Sequence, residues 1–167
     1  MNRNGFEIER KFLIEMPAAE LLAAADRSEI VQTYLLGEKH TTERVRKRSR
    51  GTQCEYTHTC KRKVNSLRRI EDERQIGEAE YEALLGRADP KRCAVVKTRC
   101  CLEYAGLLWE IDLYPFWSDR AILEVELDEE EQRFELPPFL RVIREVTEDG
   151  RYRNSELARR GPPADAD

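Results

Sequence analysis

At 167 residues the chain has the size of a single domain and is long enough to bury a real core. It is 37% charged, yet 29 basic and 33 acidic residues leave a formal net charge of only −4, which excludes a bulk electrostatic attraction to nucleic acid or anionic membrane. Hydrophobic residues make up 40% of the chain and are spread along it, so disorder is excluded, and no apolar run is long enough to span a bilayer as a helix.

In chain order, FEIERKFLI (6–14) alternates charged and apolar residues and reads as a strand with Glu7, Glu9 and Lys11 on one face. MPAAELLAAADRS (16–28) is expected to be a helix entered through Pro17. The strands EIVQTYLL (29–36), TTERVRKRS (41–49) and CEYTHTCKR (54–62) follow, the last two joined by a hairpin turn around Gly51. SLRRIEDERQI (66–76) is extended. It gives way to a helix over 78–89 that directs Ala79, Leu84 and Leu85 to the core and is closed by Pro90. Three more strands lie at 94–104, 107–116 and 121–128, the first two meeting at a tight turn of Ala105 and Gly106. LPPFLRVIREV (136–146) is expected to form a helix begun by its prolines, and SELARR (155–160) a short last one. Residues 1–160 make one domain, and 161–167 a frayed tail. Mostly hairpin-linked strands with few helices predict an α+β fold that is mainly antiparallel β, an eight-stranded closed or nearly closed barrel.

The period of two sorts the charges by strand. Arg44, Arg46 and Arg48 share a face; so do Thr57, Thr59 and Lys61; so do Arg69, Glu71 and Glu73. Lys97 and Arg99, Glu110 and Asp112, and Glu124 and Glu126 form three further pairs. A strand facing water ordinarily mixes signs, because like charges side by side repel. Here one sign repeats within a strand, an arrangement that is stabilised when something of opposite charge sits between. Phosphate oxygens would serve the basic groups, and a divalent cation the carboxylates. A barrel of about eight strands has room for a small ligand, so inward-facing rows of this kind suit an oligophosphate with Mg²⁺ or Mn²⁺. Glu7 and Glu9 are then metal ligands, and Lys11 a phosphate contact.

The five cysteines are odd in number and lack CxxC spacing, and only His40 and His58 are present, so reduced thiols packed as small hydrophobes are expected rather than disulfides or zinc. His58 has the wrong parity to join Lys61 and is expected to be a packed or surface residue. Phe116, Trp117 and Phe139 are candidates for a tunnel mouth or a subunit contact, with core packing the stronger expectation. The N-terminus has no apolar signal-peptide core, which predicts a cytoplasmic protein.

The ordered series Glu7-x-Glu9-x-Lys11, Arg44-x-Arg46, Lys61, Arg69-x-Glu71-x-Glu73, Lys97-x-Arg99, Glu110-x-Asp112 and Glu124-x-Glu126 resembles the CYTH superfamily, the triphosphate tunnel metalloenzymes. The closing VTEDGRYRNSELA, through Tyr152, Asn154 and Leu157, resembles the C-terminal signature of its compact bacterial members, the inorganic triphosphatases. The resemblance spans about residues 5–160. Departures are Asp72 and Arg74, charged where outward apolar positions are expected, and the polar run THTCK before Lys61.

The resemblance implies an eight-stranded tunnel binding a linear triphosphate with Mg²⁺ or Mn²⁺. Glu7, Glu9, Glu124 and Glu126 would hold metal with Asp112 nearby, and Lys11, Arg44, Arg46, Lys61, Arg69, Lys97 and Arg99 would grip phosphates. Lys11 would also act in the chemistry, and Glu73 or Glu110 would orient and deprotonate the attacking water. The implied activity is hydrolysis of inorganic tripolyphosphate to pyrophosphate and phosphate. Rival readings are an adenylate cyclase or a nucleoside or thiamine triphosphatase in the same tunnel, a non-catalytic polyphosphate or nucleotide sensor, and an RNA-binding surface on RVRKRSR. The expected partner is a small oligophosphate, with neither nucleic acid nor membrane, and a homodimer is left open.

Overall fold

A computed structural model describes residues 8–38, 41–63 and 69–164, with the side chains of Arg62, Lys63, Arg69 and Ile70 outside the description. Nine strands form one sheet: β1 Ile8–Glu15, β2 Asp26–Leu35, β3 Thr41–Arg50, β4 Gln53–Lys63, β5 Arg69–Ile76, β6 Val95–Tyr104, β7 Leu107–Leu113, β8 Arg120–Leu127 and β9 Val142–Glu145. Their spatial order is β5-β4-β3-β2-β6-β7-β8-β1-β9, and every ladder is antiparallel. Helices α1 Ala19–Ala24, α2 Glu78–Leu85 and α3 Asn154–Arg160 pack against it, and a 3₁₀ turn at Gly150–Tyr152 leads into α3. The expected antiparallel α+β fold is present. Among the described residues the sheet has nine strands, and no ladder joins β5 to β1 or β9 to close it into the expected eight-stranded barrel.

Three expected elements differ. Residues 136–146 do not form a helix: after a turn, Val142–Glu145 pairs with β1 at Phe12–Ile14 as the edge strand β9. The β-branched Val142 and Ile143 favour that pairing, and Arg10 donates to both oxygens of Glu145 at 2.6 and 2.7 Å. The first helix is cut to Ala19–Ala24, because Asp26 and Ser28 pair with Cys101 and Arg99 at the start of β2. In α2 the buried residue is Tyr81, with Leu84 and Leu85 partly buried, while Ala79 is exposed. The turns fall where expected: Gly51 has φ +56°, and Ala105 and Gly106 both have positive φ, the tight-hairpin geometry that follows the strands' twist.

Three apolar clusters hold the sheet. On the outer face of β1, β7 and β8, Phe12, Ile14, Trp109, Ile111, Leu123 and Val125 pack with Leu21 and Leu22 of α1 and with Phe134 and Leu140. On the outer face of β2–β4, Leu35, Val45 and Tyr56 lie under Tyr81, Leu84 and Leu85 of α2. Beyond these, Arg74 of β5 donates to Glu80 of α2 at 3.2 Å, so the unexpected outward charge is a surface tether. His58 lies on the same outer side against Glu43 at 2.9 Å, as its parity predicted. The third cluster closes one end of the inner face. Leu13, Tyr34, Tyr114 and Ile122 meet Val146, Tyr152, Leu157 and Ala158, with Trp117 at its edge. Phe116 and Phe139 remain exposed, resting on Tyr114 and Tyr104.

Candidate active site

Ladder register puts the expected charged residues on a single face, because residues directly opposite in antiparallel strands point the same way. Glu9 faces Glu126 and Lys11 faces Glu124; Glu124 faces Glu110; Asp112 faces Arg99. On the other side of β2, Arg44 and Arg46 face Thr59 and Thr57, Thr59 faces Glu73 and Lys61 faces Glu71. Arg69 holds the corresponding inner register in β5. Glu7 lies outside the described residues.

The side chains form two networks on either side of β2. In the first, Lys11 Nζ lies 3.2 Å from Glu9 and 2.5 Å from Glu124. Arg99 forks onto both oxygens of Asp112 at 2.7 Å, reaches Glu124 at 2.7 Å and also pairs with Glu110. Lys97 pairs with the same Asp112. This network is deeply placed: Lys97, Asp112 and Glu124 are 3%, 0% and 4% exposed. In the second, Lys61 pairs with Glu71 at 2.8 Å, Arg44 lies 3.8 Å from Glu71, and Arg46 lies 3.3 Å from Glu73. The buried Thr59 hydroxyl donates to Glu73 at 2.7 Å.

Burial and charge oppose one another here. Burial pushes Glu124 up, but Lys11, Lys97 and Arg99 outweigh it and hold the carboxyl well below the usual range. Burial pulls Lys11 down, and Glu124 with Glu9 more than restores it, so the ammonium is firmly charged. Arg99 is likewise raised, against burial, by Asp112, Glu124 and Glu110. Lys97 is lowered by burial and by the neighbouring Arg99, in spite of Asp112. Arg46 is lowered mainly by burial and by the surrounding arginines, Arg99 among them, which brings the two networks within electrostatic reach.

Glu9, Glu124 and Glu126 offer hard oxygen donors from the adjacent strands β1 and β8, with Asp112 on β7 beside them, a set chemically suited to Mg²⁺ or Mn²⁺. Among the described residues no three such groups converge into a ready cage. Basic side chains hold Glu9, Glu124 and Asp112 instead. The basic groups suit phosphate, and among the described residues the buried Nε of Arg44 and Oγ1 of Thr57 have no hydrogen-bond partner.

Sequence reading missed the β2 contribution. Ser28, Gln32 and Tyr34 line the same face and are buried, and Gln32 Nε2 donates to the Tyr34 hydroxyl at 2.8 Å. Burial raises the Tyr34 hydroxyl pKa, opposed by Arg44 and Lys61. Ile30 interrupts these polar positions, and Arg27, Glu29 and Thr33 on the other face are polar too, so the strand's pattern does not single them out. Tyr114 was also missed: its hydroxyl donates to Asn154 at 2.7 Å, tying the site floor to α3.

An inorganic triphosphatase of Nitrosomonas europaea is 38% identical over 157 residues, covering 91% of this chain and 96% of that protein. The chain belongs to the inorganic triphosphatase family. A second inorganic triphosphatase, from Acetivibrio thermocellus, is 30% identical over 157 residues and is covered to 94%. A crystal structure of an inorganic triphosphatase superposes with a TM-score of 0.62 at 32% identity, over 95% of this chain and 97% of that one. A protein from Pyrococcus horikoshii, 21% identical with a TM-score of 0.53 over 75% of this chain and 80% of its own, shares the fold alone. No family model matches the chain. The family membership agrees with the charged inner face, to which strands from β1 to β8 contribute. Among the described residues no helix is long and apolar enough to cross a membrane.

Proposed function

We propose that the protein hydrolyses a linear inorganic triphosphate to pyrophosphate and phosphate with Mg²⁺ or Mn²⁺, on the inner face of the sheet. The observation that carries this reading is the one-sided sorting of charge. Basic side chains from β1, β3, β4 and β6 meet carboxylates from β1, β5, β7 and β8 in connected networks on that face, whereas on the outer side of the described residues the ion pairs are local ones such as Arg10–Glu145, Arg74–Glu80 and Arg87–Glu43. The finer architecture, a sheet closing around the substrate as a tunnel, belongs to the same proposal.

In this reading Lys11, Arg44, Arg46, Lys61, Lys97 and Arg99 bind phosphate oxygens, with Arg69 completing the row. Guanidinium groups take two oxygens at once, which fixes the chain's register as well as neutralising it. Glu9, Glu124 and Glu126, with Glu7 and Asp112, hold the metal, which when bound polarises phosphoryl oxygens and lowers the pKa of coordinated water. The water oxygen attacks the terminal phosphorus, the bond to the bridging oxygen breaks, and pyrophosphate leaves with the electron pair. Little covalent chemistry is asked of the protein, so positioning and charge stabilisation carry the rate. Lys11 and the arginines stabilise the charge growing on the leaving pyrophosphate. Glu73 and Glu110, 28% and 26% exposed, are accessible carboxylates outside the metal set and orient the water and take its proton.

The test is phosphate release from tripolyphosphate and from ATP, side by side, with Mg²⁺, Mn²⁺ and EDTA, on wild type and Glu9→Ala. Fast metal-dependent release from tripolyphosphate is expected, with weak release from ATP and a loss on the order of 100-fold in the variant, the upper end of what disturbing a metal's surroundings costs. Binding without release would point to a sensor, and pyrophosphate from ATP without free phosphate to a cyclase.

A further inference from the structure

The arginine row of β3 is longer than the inner site needs. Arg44, Arg46, Arg48 and Arg50 alternate on the inner face, spanning roughly 20 Å at about 3.3 Å per residue. Arg44 and Arg46 belong to the network with Glu71 and Glu73. Together with Lys11, Lys61, Lys97 and Arg99 they already outnumber three phosphates. Arg48 and Arg50 lie past them, toward the end of the face opposite α3.

Arg48 differs from these basic groups in its company. Lys11, Arg44, Arg46, Lys61, Lys97 and Arg99 each have a carboxylate within ion-pair distance. Arg48 instead donates to neutral groups, the buried Ser28 Oγ at 2.9 Å and Cys101 Sγ at 3.8 Å; the exposed Glu55 stands opposite it in the β3–β4 ladder, but among the described residues no carboxylate lies within ion-pair distance of it. Arg50 reaches Asp26 at 3.2 Å, while its own Nε is buried and has no hydrogen-bond partner among the described residues. Both arginines line a cleft of about 280 Å³ with Asp26, Cys101, Leu108 and Glu110, and with Glu103 at its rim. Of the acids here, Asp26 is shared with Arg50 and Glu110 is engaged by Arg99, so Arg48 is the guanidinium of the cleft that no carboxylate takes up among the described residues. The other end of the face is filled by Leu13, Tyr114, Ile122, Tyr152 and Leu157. A substrate longer than the inner site therefore has this cleft as the place for its excess length.

We propose that Arg48 and Arg50 form an outer phosphate subsite at this mouth, which takes the distal phosphates of a linear polyphosphate whose terminal triphosphate occupies the inner face. The proposal rests on the triphosphatase reading above and adds the longer polyanion as a ligand class. A guanidinium with only neutral partners keeps its charge available to a phosphate, and the cleft seats it beside the route to the inner site. A nucleoside triphosphate would bring a sugar and base to the same place, which the arginines recognise less well than phosphate.

The experiment is calorimetric titration of metal-free wild type, Arg48→Gln/Arg50→Gln and Arg48→Lys with inorganic tripolyphosphate, long-chain linear polyphosphate and ATP. In the double variant long-chain affinity is expected to fall about tenfold or more, with tripolyphosphate and ATP changed less than about threefold, the scale of one to two charge-assisted hydrogen bonds. Arg48→Lys keeps the charge and should retain most of the long-chain affinity. Equal weakening of tripolyphosphate and long chain, or no weakening of either, overturns the subsite while leaving the triphosphatase reading standing. A larger loss for ATP than for long-chain polyphosphate overturns it in favour of a nucleoside pocket. A wild type that neither binds tripolyphosphate nor releases phosphate from it with Mg²⁺ overturns the underlying reading itself.

Discussion

Lys97 has its ammonium group against Asp112, and a second cation, Arg99, forks onto the same carboxylate. Asp112 therefore keeps a full partner when Lys97 is removed, so the usual penalty for orphaning a buried charge does not apply. Lys97 is also lowered by burial and by Arg99, so over the window between its folded and unfolded pKa the unfolded chain binds the extra proton and stability rises with pH. We expect Lys97→Met to reduce triphosphate hydrolysis by about 100-fold, as loss of a preorganised charge contact does, without lowering the urea midpoint. The alkaline rise in stability should flatten in the variant. A large drop in the midpoint would show that the ammonium is part of what holds the fold. At this scale the sequence reveals which face a side chain takes, because parity is local. It does not reveal that Lys97 and Arg99 share one aspartate, since Asp112 comes from another strand.

Elements were legible where the chain's own preferences agree with its surroundings. The alternating strands and both glycine turns are of that kind. Residues 136–146 are the counter-case. Two prolines followed by leucine, valine and isoleucine fit the start of a helix, but the edge of β1 offers unpaired backbone groups and Arg10 offers Glu145 a partner. A strand satisfies both, and tertiary context wins over a weak local preference. The short α3 makes the converse point, because seven residues have little helical stability alone and depend on packing. Its Leu157 is buried with Leu13, Tyr114, Ile122 and Tyr152 at the closed end of the inner face. Leu157→Ala should cost about 2–5 kcal/mol in urea unfolding, through lost burial and the cavity left behind. An effect under about 1 kcal/mol would show that α3 rests on the sheet without sealing it.

Across the whole molecule, a face carrying this many paired charges is well suited to exchange its internal partners for those of a ligand. Tripolyphosphate with Mg²⁺ should therefore stabilise the folded state, by about 2.7 kcal/mol at a hundredfold excess over Kd. The gain should shrink as salt is added, because the more exposed contacts are screened within about 10 Å at 0.1 M. A thermal shift with and without tripolyphosphate, repeated at low and high salt, checks both. No shift at low salt would mean that the ion pairs are structural and are not given up to phosphate.

The sequence by itself determined the strand faces, the acid and base rows and the family, because a period of two and a motif order are properties of the chain alone. The tertiary structure decided the sheet order, the edge position of β9 beside β1, the split of the charges into two networks around β2, and the sealing of one end by α3. It also set apart Arg48, which parity had grouped with Arg44 and Arg46. Those features depend on which distant strands become neighbours. Pairing energy between strands far apart in sequence is set by the whole sheet closing its backbone hydrogen bonds and burying its outer face at once.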